Sequence, residues 1–305
     1  MTTVYYNRAK DNPDQIHDLL FLHDKGGASV FDDLSNVNVR ICSPNRIEGF
    51  VKDITRRFSY KEIRITTAHE VIKWIDTRSD SLIVYEFHTP FRSQMEREIP
   101  KLDIHKVDIF AAPSQNSARM LSEVLPQECL PKISVRQNLL DKEYLEFKDD
   151  VDPFIWNNSI PILWIGRFDD QKNVNDFLRI LSLLPDVYHG ISVVSFNDDV
   201  TSFSDFMGDV YAYRLEKRLS VLLNLSKRQI RSLYHSVREA GGVFLSTSVD
   251  ESFGYTVAEA AALRLPTITF DVGALSEHDS PQIKFIPVGD NVGAKQEIVS
   301  LCARK

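Results

Sequence analysis

The chain has 305 residues, 43% of them apolar and 26% charged, with a formal net charge of −7. That length fits two domains, and the apolar share excludes a disordered or fibrous chain. The acidic balance argues against a dedicated nucleic-acid binder. Three widely spaced cysteines, Cys42, Cys129 and Cys302, form no C-x-x-C pair, so neither a zinc knuckle nor a disulfide framework is suggested. They fit a reducing compartment, with Cys42 expected to be buried in its apolar run. The opening MTTVYYNRAKDNPDQ has no apolar signal-peptide core, and no stretch approaches the roughly 20 apolar residues of a membrane span. The expected location is cytoplasmic, with peripheral membrane contact left open.

The first half alternates short apolar runs with amphipathic stretches. Residues 19–23 (LLFLH) read as a buried strand, followed by DKGGASVFDDL, which starts with a Gly pair and turns helical. Further strands are expected at 39–42, 62–67, 82–87, 107–112 and 133–136, with helices at HEVIKWIDT and around 115–124. The acidic stretch Glu146, Asp149, Asp150, Asp152, ending at Pro153, has no periodicity and reads as a linker. A second series follows: strands at 161–165, 191–196, 243–246 and 267–270, helices at 174–184, 226–237 and 255–263. Strands alternating with helices imply βαβ units and mostly parallel sheets. The expected architecture is α/β: residues 1–145 as one Rossmann-like domain, 146–158 as linker, 159–305 as a second. Ligands in such sheets bind outside the carboxyl ends of the strands.

Four strings carry chemistry. In GGVFLSTSVDESFGYTVAEAAALRLPTITFDVGALSE a strand runs through a loop into a helix starting near Gly254. The unpaired amides of that start make an anion site, and Gly254 allows close backbone approach. Glu251 and Glu259 flank it; carboxylates accept hydrogen bonds from sugar hydroxyls but do not bind phosphate. In ILWIGRFDDQKNVNDFL, Gly166 and Arg167 follow a buried strand and Lys172 comes five residues after Arg167, two cations suited to a diphosphate. In YEFHTPF, His88 follows an apolar strand. In HDKGGASVF, the pair Gly26–Gly27 follows the first strand but is no G-x-G-x-x-G, so a dinucleotide-dependent dehydrogenase is not supported. Taken singly, each has a plainer reading: exposed acids, surface cations beside Asp169 and Asp170, a core or capping histidine, a tight turn.

Together these strings resemble the retaining GT-B glycosyltransferases, especially glycosyltransferase family 4 (glycosyl transferases group 1), densely over 161–277 and more thinly over 19–141. The resemblance implies a GT-B fold, two Rossmann-like domains facing across a cleft. It implies that Glu251 sits by the donor-sugar hydroxyls, that Glu259 holds the ribose, and that backbone around Gly166, Phe253, Gly254 and Tyr255 faces the sugar and diphosphate. Arg167 and Lys172 would neutralise the leaving diphosphate, His88 would face the reaction centre, and Gly26 and Gly27 would approach donor phosphates or acceptor. Glu277 matches an acid that ends the donor region; APSQNSARML resembles the strand, serine and helix closing the first domain, and NLLD (138–141) a hinge strand.

The implied reaction moves a sugar with retention from a nucleotide-sugar, UDP- or GDP-linked, to a glycan, lipid-linked or protein acceptor. No metal and no cofactor are expected: Asp150–Val151–Asp152 is a D-x-D in form only, since it lies in the linker and not after a strand. The stretch 214–238 holds seven Lys/Arg against one Glu and reads as a solvated helical face, a membrane-surface patch being the alternative. Three departures stand out: a first domain of only about 140 residues, Leu265 where the family has Gly before Pro266, and room for only one strand and one helix after Glu277. The last suggests completion by a second copy or a partner glycosyltransferase. A nucleotide-sugar epimerase of the same fold and a non-catalytic partner or scaffold protein are the alternative functions.

Overall fold

A computed structural model describes residues 1–303 apart from 25, 77–80, 145–153, 155, 157 and 195–199. The chain divides into two compact units, Met1–Asp141 and Lys142–Lys305. Of the expected linker, only residues 154, 156 and 158 are described; the D-x-D at 150–152 lies outside the described residues. Phe154 and Trp156 stack on each other and bond to Ser236, so both belong to the second unit.

Unit 1 opens with helix α1 (Thr2–Asp11), which the sequence reading does not anticipate. Strands β1 (His17–Phe21) and β2 (Val37–Ile41) pair in parallel. Helix α2 (Ile47–Arg57) buries Ile47, Val51 and Thr55, the i, i+4, i+8 stripe of one helical face. Strands β3 (Glu62–Ile65), β4 (Leu82–Glu86), β5 (Ile109–Ala112) and β6 (Ile133–Val135) form a parallel sheet in chain order, with α3 (Arg92–Glu98) between β4 and β5. Ser114 caps α4 (Gln115–Ser122) by accepting from the Ser117 amide, as the serine in APSQNSARML suggests.

Some expectations are corrected. HEVIKWIDT and the segment after Gly27 each form only 3-10 turns, at His69–Trp74 and Ala28–Phe31. Residues 136–141 form no strand; Asp141 is instead buried and ion-paired with Lys10 of α1. Cys42 is half-buried, and Cys129 is the buried cysteine of the two in this unit.

Unit 2 is a six-stranded parallel sheet of β7 (Ile160–Ile165), β8 (Tyr188–Val194), β9 (Leu219–Leu223), β10 (Val243–Ser246), β11 (Thr267–Phe270) and β12 (Ile283–Ile286). Its spatial order is β12-β11-β10-β7-β8-β9. The chain builds outward from β7 in one direction, returns, and builds outward from β10 in the other, the doubly wound order. The connecting helices are α5 (Val174–Leu183), α6 (Val200–Ala212), α7 (Lys227–Glu239) and α8 (Tyr255–Ala262), with α9 (Asn291–Cys302) last. Strands buried on both faces read as continuous apolar runs, and Ile162, Leu163, Trp164, Phe244 and Leu245 are accordingly sealed in the core.

The stretch 214–238 is not one solvated helical face, because it contains β9 as well as α7. Three of its seven cations are also engaged by the protein. Arg218 donates to the Leu184 and Pro185 carbonyls at 2.9 Å each, Arg238 to the Leu263 carbonyl at 2.9 Å, and Arg231 pairs with Glu143. Among the described residues no helix is long and apolar enough to cross a membrane.

Candidate active site

In unit 2 the strand order reverses between β7 and β10, the position at which doubly wound sheets take ligands beyond the carboxyl ends of their strands. These loops carry the two strongest motifs. Gly166 follows β7 directly; a Cβ there would lie 2.7 Å from the Trp164 ring and 3.2 Å from Lys172 Cβ, so only glycine lets the loop fold back over the core. Asp169 accepts from the Lys172 amide at 2.9 Å and from Arg167 Nε at 2.7 Å, shaping the turn that puts Lys172 just ahead of α5.

The two loops are stitched together. Trp164 Nε1 donates to Thr247 Oγ1 at 3.1 Å, and Thr247 donates to the Asn173 carbonyl at 2.8 Å. The Val249 amide donates to the Gln171 carbonyl at 2.9 Å, and Gln171 Nε2 to the Asp250 carbonyl at 3.1 Å. The result is that Lys172 Nζ and Glu251 Oε1, 79 residues apart in sequence, form a close ion pair. Ser248 Oγ donates to the same oxygen at 2.9 Å. Their side chains are 17% and 9% exposed, so charge is concentrated where solvent screening is weak. Burial, with the adjacent Glu251 charge, raises the carboxyl of Asp250.

The loop after β11 closes on this pair of loops. The Ala274 amide donates to the Glu251 carbonyl at 2.8 Å. Gly273, at φ +53°, lies so close that a Cβ would meet that carbonyl at 2.2 Å. Gly254, at φ +80°, is the N-cap of α8, and a Cβ there would meet Leu275 Cδ2 at 2.2 Å. The left-handed backbone that aims the α8 amides is thus open to glycine and costly for other residues.

Each expected residue can now be placed. Glu251 is buried, not an exposed loop acid. Glu259 is half-buried on α8, with the Tyr234 hydroxyl at 3.5 Å. Arg167 is 60% exposed and turned toward Asp169 and Gln171, not toward Glu251. Phe253 and Tyr255 pack edge to face at 4.9 Å, and Glu277 is exposed. The sequence reading misses His278, whose Nε2–H donates to the Phe253 carbonyl at 2.5 Å while its ring packs on Phe253 at 5.0 Å. It also misses Ser248, Thr247 and Gln171, loop residues whose only signal was their place between the quoted motif positions.

In unit 1, Gly26 adopts φ +78° and its amide donates to Asp24 at 2.9 Å; a Cβ would meet nothing. Gly27 has φ −81° and begins the 3-10 turn. An open groove of about 1220 Å³ lies at the carboxyl ends of β1 and β2, lined among others by His23, Arg40, Arg46 and Phe50. This groove is remote in sequence from the β7 and β10 loops that carry the Lys172–Glu251 pair. His88 follows β4, half-buried, with Nε2 3.2 Å from Glu86 Oε2.

Residues 149–279 match the family described as Glycosyl transferases group 1. The chain is 27% identical over 148 residues to the phosphatidylinositol N-acetylglucosaminyltransferase GPI3 subunit of Saccharomyces cerevisiae, covering 48% of this chain and 32% of that protein. It is 25% identical over 124 residues to a probable sucrose-phosphate synthase of Thermosipho melanesiensis, covering 40% and 29%. The matched stretch therefore spans about a third of the relatives' own length. Among solved structures, Anabaena HepE in complex with UDP and glucose superposes with a TM-score of 0.80 at 14% identity, over 98% of this chain and 85% of that one. The lipopolysaccharide outer core galactosyltransferase WaaB gives 0.64 at 15%, over 99% and 86%. The fold is α/β with parallel sheets, of the GT-B type. The family match falls on the β7–β11 region.

Proposed function

We propose that the protein is a retaining glycosyltransferase of the family 4 kind, transferring a sugar from a nucleotide-sugar to a glycan, lipid-linked or protein acceptor without a metal. The observation that carries this reading is the meeting of Lys172 and Glu251 at the strand-order reversal of unit 2. One is a cation for a diphosphate, the other a carboxylate for sugar hydroxyls, and the α8 amides beside Gly254 add an anion-binding helix start. HepE is described with UDP and with UDP-glucose, which makes a UDP-sugar the first donor to try.

In this reading unit 2 holds the donor. Lys172, Arg167 and the α8 amides stabilise charge growing on the diphosphate as the sugar C1–O bond breaks. The acceptor oxygen forms its bond to C1 on the same face, and its proton passes to the departing diphosphate oxygen. Glu259 holds the ribose, and unit 1 contributes His88 and seats the acceptor. The curated relative called a GPI3 subunit supports looking for a partner chain. The relatives do not favour the epimerase and scaffold readings.

The test is a melting screen of the full chain against UDP-, GDP-, ADP- and dTDP-sugars, since ligand that binds the native state raises the melting temperature with affinity and concentration. One class is expected to stabilise by several degrees at millimolar concentration. No shift with any of them would overturn the reading.

A further inference from the structure

Strand β10 runs out through three hydroxyl residues, Ser246, Thr247 and Ser248, and alternate ones turn to different sides, as in extended chain. Thr247 turns to the β7 loop, where it bonds Trp164 and the Asn173 carbonyl. Ser246 and Ser248 share the other side, Oγ to Oγ 3.5 Å. There Ser248, 2% exposed, donates to Glu251 Oε1 at 2.9 Å, the oxygen that Lys172 also holds. The two oxygens of this carboxylate are therefore used unequally. Oε1 takes both donors, and among the described residues nothing donates to Oε2.

The two donors differ in kind. A lysine ammonium is a compact charge on a flexible four-carbon stem and can change partners. The serine hydroxyl stands one carbon from the backbone, on a loop that its neighbour Thr247 ties to Trp164 and Asn173, so it stays where the chain puts it. A hydroxyl bonded to an ionised oxygen is also one of the stronger hydrogen bonds. We propose that Ser248 is a positioning residue for Glu251: it anchors Oε1 when Lys172 turns to the diphosphate, and so keeps Oε2 for a hydroxyl of the donor sugar. This rests on the reading that puts a nucleotide-sugar at this site, and it adds what separates recognition of the sugar from recognition of the nucleotide. UDP alone has no sugar for Glu251 to hold; UDP-glucose has.

The deciding experiment is a double-mutant cycle on Ser248 and Glu251 in the full chain. Calorimetry gives Kd for UDP and for UDP-glucose, and the ratio of the two is the readout. Ser248→Ala should weaken UDP-glucose about tenfold, the low end for losing a hydrogen bond to a charged group, and leave UDP within about twofold. In a Glu251→Ala background no carboxylate is left to anchor, and the same change should move the ratio less than about twofold. Thr247→Val removes the hydroxyl on the other side and loosens the loop as a whole, so it should weaken both ligands alike. A merely structural Ser248 would give that second pattern. Equal losses for UDP and UDP-glucose in Ser248→Ala, or an unchanged ratio, overturn the inference. So does a Ser248→Ala effect on the ratio that survives in full in Glu251→Ala. A wild-type chain that binds neither UDP nor UDP-glucose would instead overturn the UDP-sugar reading, and the inference with it.

Discussion

Unit 2 gathers its charges in loops at strand ends, where Lys172 and Glu251 meet with side chains 17% and 9% exposed. Unit 1 keeps its densest charge cluster in the core, where Glu86 is held by a helix 78 residues earlier in the chain. The first arrangement is adaptable: loop residues can exchange one partner for a ligand without disturbing the sheet. The second is fixed, because Arg8 and Tyr5 sit on a helix that also buries Val4, Tyr6 and Ala9. Together they suggest a division of labour in which one unit's charges are there to be claimed by a ligand and the other's are there to hold a side chain still.

Three measurements would break or sharpen this contrast. The largest effect is expected for Lys172→Ala, which removes the cation proposed to face the diphosphate and should lower turnover about 100- to 1000-fold, the scale for losing one preorganised charge partner. Arg167→Ala should act in the same direction. Unchanged turnover in both variants would mean that the loop cluster is not a site.

Next comes acid. Burial raises the Glu86 carboxyl, but the His88 hydrogen bond and the Arg8, His88 and Arg64 charges outweigh it and bring it down to about 2. A carboxyl lower in the folded than in the unfolded state contributes stability above the unfolded value of about 4.3, and loses it as pH falls toward 2. The loss should be on the order of 3 kcal/mol, read as the difference in denaturant midpoint between pH 6 and pH 2.5. Glu86→Gln should flatten that part of the pH dependence; an equal slope in wild type and variant would show that the core cluster is not held by charge. The smallest effect is expected at Gly254→Ala. Its left-handed backbone and the Leu275 contact should cost about 1–2 kcal/mol of stability, with donor affinity falling alongside. Stability lost without any change in affinity would detach the α8 start from the donor.

The two regions also differ in how much of them the sequence disclosed. In unit 2, glycine before a charged loop and apolar runs of strand length are local signals, so Gly166, Lys172, Glu251 and Gly254 could be picked out before any geometry was known. Their pairing could not, because it depends on β7 and β10 becoming neighbours. In unit 1 the reading passed over α1 because its buried face carries Asn7 and Arg8 among Val4, Tyr6 and Ala9, which leaves no apolar stripe. Without α1, Glu86 looked like an ordinary strand-end acid, and His88 stood as a lone histidine. Likewise α6 and β9 were passed over, and with β9 unassigned, a run of arginines looked like one helix face although several were bonded to distant carbonyls.

The bonds of α1 have a consequence for how unit 1 comes into being. Besides Glu86, the helix reaches the far end of its unit: Asn7 donates to the Leu139 carbonyl at 2.7 Å, and Lys10 pairs with Asp141 at 2.9 Å, across 132 and 131 residues of chain. Within this unit α1 leaves the ribosome ahead of every strand, yet its clasp is complete only when residue 141 has followed. At ordinary synthesis speeds that is a wait on the order of ten seconds. Such distant contacts come late in folding, after the loops they close have been ordered. A nascent chain halted before residue 139 would therefore hold its first helix through Glu86, Asp33 and Asn36 while the bonds to Leu139 and Asp141 were still to form.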